Sequence, residues 1–171
     1  MNKLFNTILK YSEFTATVFL GVGLVLAVVG YFSDRDHRVK QFTIEYAKAY
    51  HESSLQEARN KIREEIRKIE NIDRSMNNST LADLLSKNAS KNPNSDFAKS
   101  IFEISDYYNS LQNCISAEIC DETLVKKLHA SEASSLRCLI LPALKEISLS
   151  GGEQATTSGI VFLSEGTTCN D

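Results

Sequence analysis

The chain has 171 residues, a formal net charge of −3, 42% hydrophobic residues and no tryptophan. Both signs of charge are spread along it, so no basic stripe offers itself to a nucleic-acid duplex, and 8% aromatic residues supply few platforms for stacking single strands. With a front segment and a tail set aside, about 120 residues remain, enough for one modest helical core and too few for a large enzyme.

Residues 1–13 form a short N-terminal segment. Between Glu13 and Asp34 lie twenty uncharged, mostly apolar residues, 14–33, reading FTATVFLGVGLVLAVVGYFS. As a helix they rise about 30 Å, the thickness of a bilayer's hydrocarbon core. Val18 to Val29 carries no polar face, unlike a soluble core helix. Tyr11, Phe14, Tyr31 and Phe32 sit near the two ends, where amphipathic rings favour the interface. Val28, Val29 and Tyr31 crowd the place where a signal peptidase would need small residues, so the segment reads as an uncleaved anchor. Gly21, Gly23 and Gly30 show no G-x-x-x-G spacing, and read as ordinary glycines of a membrane helix. Lys3, Lys10 and the terminal amine precede the span, whereas Arg35, Arg38, Lys40 and Lys48 follow it; this count turns the following domain toward the cytoplasm.

No glycine occurs from Tyr31 to Ser150, which favours helices joined by polar loops over a sheet with tight turns. Residues 34–72 read as charged juxtamembrane helices. Val39, Phe42, Tyr46 and Tyr50 continue a helical spacing out of the anchor. Ser54-Leu-Gln-Glu57 reads as a capping box opening a helix from Leu55 to about Ile72. Its apolar stripe is Leu55, Ala58, Ile62, Ile66 and Ile69, and its opposite, solvated face pairs Glu57 with Lys61 and Glu64 with Lys68.

Residues 73–95 form an Asn- and Ser-rich loop, with one or two helical turns at Leu81–Leu85. The N-x-S/T triplets at Asn77, Asn78 and Asn88 are expected by chance in such a composition. Residues 96–150 complete the bundle as a helical hairpin. Phe97, Ile101, Ile104, Tyr108, Leu111 and Ile115 form a sustained seam behind an Asp96 cap. That seam demands a partner, within the domain or on another chain. Asp121 caps the last helix, whose pattern runs through Leu124, Val125, Leu128, Leu136, Leu139, Ile140, Leu144 and Ile147. Pro142 should divide it near Leu141. Residues 151–171 read as a flexible tail with a short apolar patch at 159–163.

Cys114, Cys120, Cys138 and Cys169 are even in number, compatible with two disulfides, but show no C-x-x-C spacing for zinc or redox chemistry. Cys114 and Cys120 flank a short connection and could meet in an exported domain. Cys138 lies in the apolar run LRCLIL, where a thiol behaves as a small hydrophobe. With the charge count pointing inward, all four are expected to be reduced.

Few motifs carry chemistry. Leu149-Ser-Gly-Gly-Glu-Gln154 looks like the signature motif of ABC-type ATPases, yet no G-x-x-x-x-G-K-[ST] loop accompanies it, so the match is a coincidence. His37, His51 and His129 stand apart with no metal spacing. His129 and Glu132, three apart on one helix, read as a surface pair, because a di-metal bundle needs two such pairs and further glutamates in the core. No G-x-S-x-G elbow is present.

In layout the chain resembles a group of bacterial one-span proteins carrying a domain of unknown function, the 4760 type. The counterparts are the span Phe14–Phe32, the charged helix Ser53–Ile72 with its Gln-Glu-Ala-Arg59, the Phe- and Tyr-rich helix Phe97–Leu111, and the proline-bearing Asp121–Leu144. The resemblance implies a cytoplasmic α-helical domain and transfers no catalytic residue.

The sequence thus predicts an all-α protein, an N-terminal transmembrane helix followed by a small bundle of about three to four helices. It offers no catalytic, cofactor-binding or metal residue, and no cofactor is expected. Expected partners are the lipid bilayer and a protein or second copy docking through helical surfaces, not nucleic acid. The reading is a membrane-tethered interaction protein facing the cytoplasm. The alternatives are an exported, anchored domain with a Cys114–Cys120 disulfide, and an enzyme whose site the sequence does not display.

Overall fold

The computed structural model describes residues 2–70, 76–149, 157–166 and 168–169, and these contain seven helices and no strand. In chain order they are α1 (Asn2–Ala49), α2 (Ser53–Glu70), α3 (Asn78–Lys91), α4 (Asp96–Ser116), α5 (Glu122–Leu139), α6 (Leu141–Leu149) and α7 (Ser158–Leu163). The chain divides into two compact units, residues 1–39 and residues 40–171.

In the first unit, the apolar residues 18–32 of the expected span lie inside α1 with their side chains exposed, Phe19 by 78% and Leu20 by 75%. Such exposure suits a lipid surround rather than a soluble core. Among the described residues α1 is the one helix long and apolar enough to cross a membrane. Asp34 and Arg38 pair across one helical turn just beyond the apolar stretch.

The second unit holds the core. Ala58, Ile62 and Ile69 of α2 are buried as the stripe predicted, and its outer face carries Glu57–Lys61 at 2.9 Å and Glu64–Lys68 at 3.1 Å. The helix begins at Ser53, so Ser54 is inside its first turn and does not open a capping box; Glu57 turns to Lys61 instead. The expected end at Ile72 falls outside the described residues. The α4 seam is buried along Phe97, Ile101, Ile104, Tyr108 and Leu111. Its cap is Ser95, whose hydroxyl accepts from Ala98 N at 3.2 Å, one residue ahead of the expected Asp96. Asp121 caps α5 as expected, accepting from Leu124 N at 2.8 Å. Pro142 stands at the second residue of α6, where its missing N–H costs no helical bond.

Two regions expected to be irregular are core elements. The Asn- and Ser-rich stretch contains the full helix α3, opened by Asn77, whose side chain accepts from Thr80 N at 2.9 Å. Leu81, Ala82, Leu85 and Ala89 are buried, and α3 packs against α6. Small residues among few large ones weakened this periodicity in the sequence. The supposed tail contributes α7, which packs against both α4 and α5 and buries Ile160 and Leu163. Gly159 permits this, since its backbone lies directly on the Tyr108–Asn109 peptide of α4 with no room for a Cβ. Asn109 Oδ1 holds the start of α7, accepting from Gly159 N at 2.9 Å and Ser158 Oγ at 3.3 Å.

The cysteines overturn the expectation of reduced thiols. Cys114 is bonded to Cys120 and Cys138 to Cys169, with Cα atoms 5.2 and 5.4 Å apart. The first bridge follows from how α4 stops. Ala117 caps the helix, Glu118 takes a left-handed φ of 57°, and Ile119 N and Cys120 N both donate to Cys114 O. This turn swings Cys120 back over Cys114. The second bridge ties the segment after α7 to α5, where Arg137 also donates to Ser164 O at 3.1 Å. Persistent disulfides do not fit a reducing cytoplasm, so the inward orientation drawn from the charge count does not fit this domain either.

Candidate functional site

Between α2 and α5, over the α4 residue Ile104, lies a groove of about 480 Å³. Its walls are Ile62 and Ile66 from α2 and Leu128, Leu136, Leu139 and Ile140 from α5 and its end. Arg59, Arg63, Ser131, Glu132 and Ser135 contribute the polar part. The helical spacing that makes Ile62 and Ile66 core residues also brings Arg59 and Arg63 to the same opening, one turn apart.

Beneath one end of the groove sits a cluster of aromatic residues. Tyr50 stacks on Tyr107 with ring centroids 4.5 Å apart, and Tyr107 stacks on Tyr46 at 5.8 Å. His129 stands edge-on to both Tyr50 and Tyr107. The Arg59 guanidinium lies 4.5 Å from the centre of the Tyr50 ring, and its Nε donates to Glu132 Oε1 at 3.1 Å. Arg59 also reaches His51 Nδ1 at 3.4 Å. The pair joins α2 to α5 while covering the aromatic face. At 16% and 32% exposure it is partly shielded, so it couples the helices more firmly than an open surface pair would.

Burial sets the protonation states. It pushes the phenols of Tyr50, Tyr107 and Tyr108 well above the ordinary tyrosine range, so all three stay neutral at physiological pH. Burial also lowers His129, opposed by the nearby Glu132 carboxylate and reinforced by His51 and Arg59. Tyr107 Oη lies 3.3 Å from His129 Nε2 and 3.4 Å from the Tyr46 carbonyl. The carbonyl can only accept, so both bonds form together when the phenol donates to it and Nε2–H donates to the phenol. The hydroxyls of Tyr50 and Tyr108 are buried near each other, with no partner in good hydrogen-bond geometry among the described residues. These groups can stack, donate hydrogen bonds and hold a charge in place; none is an activated nucleophile.

His129 and Glu132 therefore do not form the surface pair read from the sequence. His129 is 3% exposed inside the cluster, and Glu132 takes Arg59 as its partner. The signal was present in Tyr46 and Tyr50, four apart, but nothing local showed that other helices would bring Tyr107 and an imidazole to them. His37 belongs to the first unit, on α1, and His51 reaches the edge of the cluster through Arg59. Among the described residues no group of His, Cys, Asp and Glu has metal-binding geometry. Of the N-x-S/T asparagines, Asn77 is a helix cap and Asn88 Nδ2 donates to Glu65.

A buried imidazole with a lowered pKa makes stability depend on pH. The unfolded chain takes up the proton at higher pH than the folded one, so the contribution of neutral His129 is complete above the unfolded value near 6.5. It is lost as pH falls from there toward the folded value. Stability should fall below about pH 6.5, His129 contributing a slope no steeper than about 1.4 kcal/mol per pH unit, the limit for one proton, as read by melting curves across pH. His129→Phe should flatten that slope even if it lowers stability overall. An unchanged slope would assign the dependence to another group.

A family model described as a domain of unknown function (DUF4760) matches residues 17–148. No curated protein and no solved structure matches the chain. The matched stretch starts within α1 and ends in α6, taking in both walls of the groove and the aromatic cluster. With well over half of its length matched, this chain belongs to the DUF4760 family.

Proposed function

We propose that this protein is a membrane-anchored binding module whose domain, residues 40–171, works on the oxidising side of the membrane, in the periplasm or at the cell exterior. The carrying observation is the pair of disulfides, which leaves no free cysteine among the described residues. Reduced thiols would be the stable state in a cytoplasm held reducing by glutathione and thioredoxin. The basic residues following the apolar segment argue the other way. A bias of so few charges is the weaker signal, because the positive-inside count tolerates exceptions that a cytosolic thiol pool does not.

The apolar part of α1 serves as the anchor, and anchoring raises the domain's effective concentration for partners at the same surface. Those partners are a protein or a second copy, met through helical surfaces. A binding role rather than catalysis is supported by the neutral phenols and the Arg59–Glu132 pair, which hold the walls of the groove and activate no nucleophile.

Two measurements on the native chain test the reading. In acid-trapped cells, thiol alkylation without reductant should modify none of the four cysteines, and after reduction all of them. The protein should also stay with the membranes through alkaline carbonate extraction. Four thiols alkylated without reductant, or release by carbonate, would overturn it.

A further inference from the structure

We propose that the groove between α2 and α5 binds a single-chain amphipathic anion, a long-chain fatty carboxylate. Two features of the lining carry this. The walls are aliphatic, with Ile62, Ile66, Leu136 and Leu139 facing one another over Ile104. No aromatic side chain lines the groove among the described residues, so a flat ring system finds nothing to stack on, whereas a flexible acyl chain gains from every methylene it buries. The volume of about 480 Å³ lies in the range of small-molecule sites, about 300–1,000 Å³.

Charge at the opening selects the head group. Arg59 is matched by Glu132 at 3.1 Å. Arg63, one turn along α2 and exposed, has no ion-pair partner among the described residues. The opening therefore carries one positive charge in excess, which complements a monoanion. A guanidinium receives a carboxylate through two parallel hydrogen bonds. The Ser131 hydroxyl on the facing wall can bond a remaining lone pair, whereas Ser135 Oγ already donates to the Ser131 carbonyl at 3.2 Å. A polar head held at Arg63 and a chain laid along the isoleucines and leucines use both halves of the lining at once. Nothing in this binding depends on which side of the membrane the domain occupies, so it stands or falls apart from the topology proposed above.

The test uses the full chain in phosphatidylcholine nanodiscs and a long-chain fatty acid carrying a photoreactive diazirine in its tail, with labelled peptides mapped by mass spectrometry. Label should appear on the α2 and α5 segments that contain Ile62, Ile66, Leu136 and Leu139. Arg63→Glu should reduce it at least about tenfold, the loss expected for one charge-assisted hydrogen bond. The same chain ending in an amine should label the groove far less than the acid. Both Arg63 and Ser135 are exposed, so Arg63→Glu and Ser135→Trp should fold, with an unchanged melting temperature as the check. Ser135→Trp should block labelling by filling the opening. Label confined to residues 14–33, equal labelling by acid and amine, or full labelling of Arg63→Glu would each overturn the proposal.

Discussion

Ile104→Asp should abolish the tertiary structure of residues 40–171 while leaving the apolar part of α1 helical. Ile104 has no exposed surface, and it sits in the middle of the α4 seam beneath the groove. The substitution removes about 2–3 kcal/mol of buried aliphatic surface. It also places a carboxyl at a position with no exposed surface, where ionisation costs several kcal/mol or forces protonation. The sum rivals the total stability of a domain of this size, about 5–15 kcal/mol. The stacked tyrosines provide the readout, since near-ultraviolet circular dichroism reports their fixed packing, whereas the exposed Tyr31 in the apolar part of α1 adds only a weak signal. That signal should vanish near neutral pH and return in part in acid, as the carboxyl loses its charge. Ile104→Val, which keeps the shape, should cost only about 1 kcal/mol. A native tyrosine signal from Ile104→Asp at neutral pH would mean that the seam is not the centre of this fold.

Gly159→Ala should cost about 3 kcal/mol, a large penalty for one methyl group on a helix that alanine ordinarily favours. A Cβ at this position falls deep inside van der Waals contact with the Tyr108 carbonyl and the Asn109 amide, which are α4 backbone and cannot rotate away. Either α4 bends or α7 lifts off. Lifting off exposes Ile160 and Leu163, which α4 and α5 now cover, and breaks the Asn109 bond to Gly159 N. The Cys138–Cys169 bridge should keep the displaced segment tethered, so the loss should deepen on reduction. Differential scanning calorimetry of the full chain should show a drop of roughly 10 °C. A change of a degree or two would mean that α7 is dispensable to the core.

The sequence alone determined the features that depend on local periodicity. Twenty uncharged residues before Asp34 specify an apolar helix whatever follows. The α4 seam and the α2 stripe could be read because a helix turns each of their spacings into one face. Asp121 and Pro142 act within a turn of their own position, so their effect on helix boundaries was visible without a fold.

Tertiary structure decided everything that needed two distant segments to meet. Gly159 looked like tail composition because its purpose is the closeness of α4, fifty residues earlier in the chain. Leu81 and Leu85 looked like islands in a polar loop because the helices that α3 packs against, α6, α5 and α2, lie elsewhere in the chain. His129 and Glu132 were three apart in sequence and read as a pair, yet Tyr107 from α4 and Arg59 from α2 separated their roles. The cysteine pairing shows the limit most plainly. Spacing permitted several outcomes, and the choice fell to a left-handed turn at Glu118 and to the docking of α7, which brings Cys169 beside Cys138. A chain encodes its local geometry residue by residue, but the neighbours that give a side chain its charge state, burial or covalent partner exist only once the helices have packed.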